Sequence, residues 1–251
     1  MKQGFLLKFV LYILIATTLS ATIAYFTGAY SFSSIPQPSD HKSASSDLKY
    51  RSVVIDAGHG GEDGGASSAA GLVEKHVNLE IAQMLRDMLT ASGINVVMTR
   101  EDDRLLYDRN VDFKGRKKKL DLAARLTVAC DTPHSIFVSI HMNSYTNPKY
   151  SGLQVWYSAN NAESYQLAQM IQSRAKKDLQ PTNKRCIKSA GESIFLLDNA
   201  TSPSVLVECG FLSNPEEAAK FETEEYKRRV AFTIFCSIID FLEDANSSLS
   251  E

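Results

Sequence analysis

RSVVIDAGHGGEDGGA, residues 51–66, passes from a short β-branched run into a loop that holds five glycines and a single histidine. Tyr50 to Asp56 predicts a strand. Glycine opens backbone conformations closed to other residues and lets a ligand approach the chain, so a loop this rich in it is shaped around something. Beyond it, Lys75 to Ser92 places Val77, Ile81, Met84, Leu85, Met88 and Leu89 at helical spacing, and Gly93 supplies a stop. Strand, loop and helix in that order set the pattern for the rest. Residues 94–100, 135–141, 152–158, 193–197 and 204–211 predict further strands; Lys119 to Cys130, Ala162 to Leu179 and Glu224 to Glu243 predict helices. This alternation argues for an α/β fold: a largely parallel or mixed central sheet with helices on both faces, in a single domain over residues 49–245 followed by a disordered tail, 246–251.

At 251 residues, 44% hydrophobic and 22% charged, the chain has the composition of a globular protein with one sizeable core. A formal net charge of −2 gives no electrostatic case for a nucleic-acid partner, which calls for a basic face. The first thirty residues differ from the rest. Lys2 and Lys8 precede an uncharged apolar stretch, Phe9 to Phe26, about as long as a bilayer-spanning helix. The positive-inside tendency directs the chain beyond this stretch out of the cytoplasm, so residues 1–30 predict a signal-anchor, with small residues near Ala24 and Ala29 leaving cleavage open. Residues 31–48, rich in Ser and Pro, predict a flexible linker. Cys130, Cys186, Cys209 and Cys236 form no C-x-x-C pair, which argues against a cysteine zinc site or a redox motif. Their apolar surroundings at 209 and 236 favour buried free thiols over disulfides.

In open α/β sheets ligands gather beyond the carboxyl ends of the strands. Those ends carry His59 after the first strand, His141 closing the third, and Glu208 in the last; Glu74 joins them from the start of the first long helix. Two imidazoles and carboxylates on one rim make a metal constellation. Zinc takes imidazole nitrogen and carboxylate oxygen at about 2.0–2.2 Å, and hydrolytic sites commonly use three protein ligands with a fourth position open. His59, Glu74 and His141 supply the three, which leaves Glu208 as an unligated carboxylate to take and return a proton. Each residue also has a plainer reading: the histidines as satisfied polar residues, Glu74 as a helix-dipole partner, Glu208 in a salt bridge. Glu208 resists the plainer reading most, because VLVECGF is an apolar run in which an ionised group is costly unless paired or employed. A phosphate cradle is disfavoured, since GHGGEDGG lacks the lysine-bearing P-loop pattern and carries Glu62 and Asp63.

IDAGHGGEDGGA at 55–66, EKHVNLEIA at 74–82, FVSIHMNS at 137–144 and LVECGFLSNPEEA at 206–218 resemble, in order, the motifs of the zinc-dependent N-acetylmuramoyl-L-alanine amidases, the amidase-3 family. The resemblance runs from about Tyr50 to Leu242. It implies a catalytic domain in which His59, Glu74 and His141 hold Zn2+ and Glu208 is the catalytic acid/base. The implied reaction is hydrolysis of the amide between N-acetylmuramic acid and the L-alanine of the stem peptide in peptidoglycan. Asp56 or Asn143 is expected to orient the ligands.

One membrane segment, a linker and a catalytic domain without wall-binding repeats look most like the germination-specific amidases that act on spore cortex. A vegetative wall-remodelling amidase, a zinc peptidase acting within the stem peptide, and a silent wall-binding module are the alternatives, and an activating protein partner is left open. Two positions depart from the family pattern: Cys130 stands where asparagine is common, and Asp198 where a basic residue often follows the apolar pair. The basic run KGRKKK, 114–119, is expected to be a solvated loop leading into a helix.

Overall fold

The computed structural model describes residues 48–107, 110 and 114–247. The predicted signal-anchor and all of the predicted linker but Leu48 lie outside these residues. No described helix is long and apolar enough to cross a membrane.

Six strands form one sheet: β1 (Ser52–Ala57), β2 (Asn95–Met98), β3 (Ser135–Asn143), β4 (Gln154–Tyr157), β5 (Lys188–Ser189) and β6 (Ser204–Phe211), in the order β2-β1-β3-β6-β4-β5. Every pairing is parallel except β4 with β6. The chain leaves β1 to form β2 on one side and returns to form β3 on the other. The carboxyl ends of β1 and β3 therefore flank the point where strand order reverses, the usual place for a crevice.

β1 is buried along its whole length, as a central strand covered on both faces must be. Val53 and Ile55 face the larger of two apolar clusters, Val54 the smaller. The larger cluster joins the sheet to helices α1 (Glu74–Ala91), α3 (Glu163–Arg174) and α6 (Glu224–Ser247). In α1, Val77, Ile81, Leu85 and Leu89 form one buried stripe with the 3–4 residue spacing read from the sequence. The smaller cluster packs α2 (Lys117–Asp131) and the short α4 (Phe195–Asn199) against the opposite face. Helices thus cover both faces, but the thinner cover on the α2/α4 side leaves room for a cleft.

Three local expectations change. Residues 193–197 are not a strand: Phe195–Asn199 is a helical turn, in which Leu196 and Leu197 are both buried. Five consecutive residues with no clear period are ambiguous between the two states, and docking into the smaller cluster decides. Helix α3 gives way at Ala175 to a π-helical turn ending at Leu179. The last helix runs to Ser247, into the segment expected to be a disordered tail. The structure also adds β5 and helix α5 (Pro215–Phe221), whose N-cap Asn214 accepts hydrogen bonds from the backbone N–H of Glu216 and Glu217 with Pro215 at the first helical position. All four cysteines are free thiols, Cys209 buried and Cys236 half-buried as the apolar runs implied, Cys130 and Cys186 exposed.

The chain enters the domain beside the end of α6, where Asn246 Oδ1 accepts hydrogen bonds from the backbone N–H of Lys49 (2.9 Å) and Tyr50 (3.3 Å).

Candidate metal centre and hydrolytic site

The glycine loop brings His59 back over the sheet and ties itself to α1. Helix α1 has no side-chain N-cap. Loop carbonyls serve instead: Glu74 N–H donates to Ala66 O (2.9 Å) and Lys75 N–H to Gly64 O (3.2 Å). In return, Glu74 Oε2 accepts the Ala66 N–H at 2.8 Å. Two of the loop's glycines are required by close approach to the expected ligands. A Cβ on Gly58 would stand 2.2 Å from His141 Nε2, and one on Gly65 would stand 2.5 Å from Glu74 Oε2.

The three expected ligands meet. Glu74 Oε1 lies 3.2 Å from His59 Nε2 and 3.0 Å from His141 Nδ1. One donor atom from each residue falls within 4.8 Å of the others, a grouping that could hold a metal ion. Ligands about 2.0–2.2 Å from a tetrahedral zinc are separated by roughly 3.3–3.6 Å, and the two distances to Glu74 Oε1 fall a few tenths of an ångström short of such an edge, close enough for small side-chain shifts to admit the ion. The surroundings fit as well. His59 has its other ring nitrogen 2.9 Å from Asp63 Oδ2, a carboxylate beside the ring as is common in metal sites, at an angle that does not make it a hydrogen bond. Glu74 Oε1 also receives the Met142 N–H at 3.0 Å and the Asn78 amide at 3.4 Å.

Glu208 stands beside His141 in register on the neighbouring strand. Its side chain is half-buried, and Oε2 is buried without a hydrogen-bond partner. Burial pushes its pKa up to about 7, against the pull of His141. Burial also works against the charge on Glu74, but hydrogen bonds from His141 and His59 outweigh it and hold that carboxyl well below the usual range. His59 is raised: Glu74 and Asp63 together overcome the burial that disfavours its protonated form. Two carboxylates of one site are thus driven apart, one kept ionised and one poised to exchange a proton near neutrality.

Sequence reasoning missed the two arginines that hold the loop. Arg100 and Arg125 are both about 1% exposed. Arg125 donates to Asp56 Oδ1 (2.6 Å), Asp121 Oδ2 (2.7 Å), Ala57 O (2.8 Å) and His59 O (2.6 Å). Arg100 donates to Ala57 O (2.7 Å) and Gly58 O (3.0 Å). Between them they satisfy three consecutive carbonyls that lead into His59, whose φ of 62° is in the left-handed region. The available signal was weak: Arg125 follows Asp121 by four residues on one helix face, and Asn78 follows Glu74 likewise.

Asp56 acts one step further out than expected. It bonds Thr99 (2.7 Å), Ser139 (2.6 Å) and Arg125, and through Arg125 it reaches the carbonyl of His59. Asn143 ends β3, and its carbonyl accepts the Leu212 N–H at 2.8 Å. The basic run is not simply solvated: Lys117 pairs with Glu62 and Lys118 lies 3.6 Å from Asp63, so it braces the acidic tip of the glycine loop. Asp198 is exposed on α4, and Cys130 is exposed near the end of α2. Over the histidines opens a cleft of about 260 Å3, walled on one side by Leu122, Ile194, Phe195 and Leu196.

Comparison with known proteins identifies the family. The model of the N-acetylmuramoyl-L-alanine amidase family Amidase_3 matches residues 53–240. The chain is 36% identical over 197 residues to the germination-specific N-acetylmuramoyl-L-alanine amidase of Bacillus subtilis (strain 168), covering 78% of this chain and 82% of that protein. Among solved structures it is similar to the CwlD amidase from Clostridioides difficile in complex with the GerS lipoprotein, at a TM-score of 0.73 and 36% identity over 77% of this chain and 98% of that one. It is also similar to an N-acetylmuramoyl-L-alanine amidase from Clostridium difficile 630, at 0.66 and 30% over 78% and 98%. The family match takes in the loop, helix and strands that carry His59, Glu74, His141 and Glu208, and the chain belongs to the Amidase_3 family of N-acetylmuramoyl-L-alanine amidases, enzymes of peptidoglycan hydrolysis.

Proposed function

We propose that this amidase is a zinc enzyme in which His59, Glu74 and His141 hold the ion and Glu208 carries the proton between water and leaving group. The observation behind this reading is the meeting of three donor atoms within 4.8 Å, next to a Glu208 oxygen that has no partner. Bound there, zinc supplies Lewis-acid polarisation of the scissile carbonyl and makes water acidic enough to ionise near neutral pH. Glu208 accepts the proton of the attacking water on its free oxygen and delivers it to the departing amine of L-alanine. Glu74, kept ionised, contributes charge and not proton transfer. Asp63 flanks His59 and Asn78 steadies Glu74, while the apolar wall of Ile194 and Phe195 keeps bulk water from the reacting bond.

The test is a set of full-length variants. Glu208→Ala keeps its metal and loses turnover, whereas His59→Ala and His141→Ala lose both; metal analysis beside an activity assay reads the difference. Full activity in Glu208→Ala removes the assigned base. The products settle the bond: free lactyl groups with intact stem peptides mark the amidase, shortened stems a peptidase.

The biological setting is part of the same proposal. The germination-specific relative supports action on spore cortex. The apolar segment Phe9 to Phe26 supports export and anchoring on the outer face of the cytoplasmic membrane. The lipoprotein in the CwlD complex supports a protein partner here too. Faster digestion of spore cortex than of vegetative wall is the expected outcome.

A further inference from the structure

The cleft over the histidines is small for a glycopeptide, since sites for drug-sized ligands run to about 300–1,000 Å3. The substrate must extend past it. One direction leads across the sheet from β6 to β4, where Gln154 stands opposite Glu208 in the antiparallel ladder. Val155 and Val207 face the larger core, so Gln154 and Glu208 share the other, active-site face.

Above Gln154 lies Arg185. Its Nη1 donates to Gln154 Oε1 at 2.6 Å, its Nε to Ser151 O at 2.9 Å, and its guanidinium is stacked on the Phe211 ring at 4.4 Å. Gln154 is itself fixed by donating to Cys186 O at 2.8 Å. The guanidinium is therefore held in one orientation. These bonds use Nε and Nη1, and among the described residues Arg185 makes no ion pair with a carboxylate. Its charge is felt by Glu217 and Glu208. Glu217 is already committed to the backbone N–H groups of Gly152 and Phe211. Beyond Arg185 the surface opens into a groove of about 1460 Å3 bordered by Tyr150, Gly152 and Asn183. A preorganised guanidinium with an open edge, between a catalytic carboxylate and a groove, suits a planar anion.

We propose that Arg185 is a specificity-determining residue that receives a carboxylate of the substrate's peptide. This role rests on the amidase reading of the site. In the intact substrate the lactyl carboxyl of muramic acid is consumed in the scissile amide, so free carboxylates come from the peptide, at its C-terminus and on acidic side chains.

The experiment uses full-length, zinc-loaded protein and paired muramyl peptides that differ only in whether the peptide carboxylates are free or amidated. Wild type should prefer the free form by about 10- to 100-fold in kcat/KM, mostly through KM, as expected for one charge-assisted pair. Arg185→Ala should bring the free form down to the amidated rate while leaving the amidated rate and the metal content unchanged. Arg185→Lys should retain part of the preference, as a point charge without the fork. Equal loss on both substrates, or a preference that survives Arg185→Ala, overturns the assignment. Should Arg185→Ala fail to fold, Arg185→Lys and Arg185→Gln carry the same comparison. Wild type that cleaves neither substrate defeats the amidase reading itself and is told apart by that control.

Discussion

His59 holds a backbone conformation that costs an L-residue roughly 1–2 kcal/mol, and the hydrogen bond from Arg125 to its carbonyl helps hold the loop in it. Beside it, Gly58 has no room for a side chain. Gly58→Ala sets a methyl against the His141 ring, which is pinned by Glu74 on its other side. Loss of metal and at least 10-fold loss of activity are expected, read by metal analysis and initial rates. As the base proposed above, Glu208 is expected to set the pH response. As a base it must be ionised, and with a pKa pushed up to about 7 it is protonated below that point, so activity falls as pH drops through neutrality. A bound dication draws the midpoint lower. Glu208→Gln is expected to lose about 100- to 10,000-fold and to lose this acid limb, which a pH–rate profile checks. The meeting of His59, Glu74 and His141 with Glu208 beside them was legible in the sequence because each sits at a strand end or helix start next to an unusual neighbour. The arginines were not, since nothing in a sequence separates a buried guanidinium from the many that snorkel at a surface.

Among the side chains that helix α2 sends to the site, one reaches the His59 carbonyl. Arg125 neutralises Asp56 and Asp121 in the interior and carries the His59 carbonyl. Arg125→Met leaves two buried carboxylates without their cation, and a loss of about 3–5 kcal/mol is expected at neutral pH, with weaker metal binding. The pH dependence has a definite sign. Burial raises the pKa of Asp56, Arg125 overrides it, and the net value is about 2 against an ordinary 3.8. The pair's stabilisation is therefore present above pH 4 and is lost as pH falls toward 2, so denaturant curves of wild type and variant should converge in acid. The helices with long apolar stripes were readable to within a few residues, as α1 illustrates. Residues 193–197 were not, because five apolar-rich residues fit either state until the smaller cluster chooses. Helix α5 was within reach: Asn214-Pro215 followed by two glutamates is a helix-start signature, although the helix it opens is too short to show a period.

For the whole molecule, alternating strands and helices gave the layered α/β class, but neither the strand order nor the reversed direction of β4 is written in any local pattern; both depend on which crossovers pack. The proposed ligands come from the loop after β1, from α1 and from β3, so a bound ion would tie together elements far apart in the chain. A chelator should abolish activity and lower Tm by roughly 5–15 °C, with both restored by zinc, because a ligand at 1,000 times its Kd adds about 4 kcal/mol to folding. Calorimetry with and without chelator checks it. The clasp of Asn246 on Lys49 and Tyr50 has a mechanical meaning in this frame. It grips the amino end of β1, and six extended residues, about 20 Å, separate that grip from the turn to His59. The first and last described stretches of the domain are thus fastened to each other at the pole opposite the histidines, so loosening that seam would free the amino end of β1 before it reached the glycine loop.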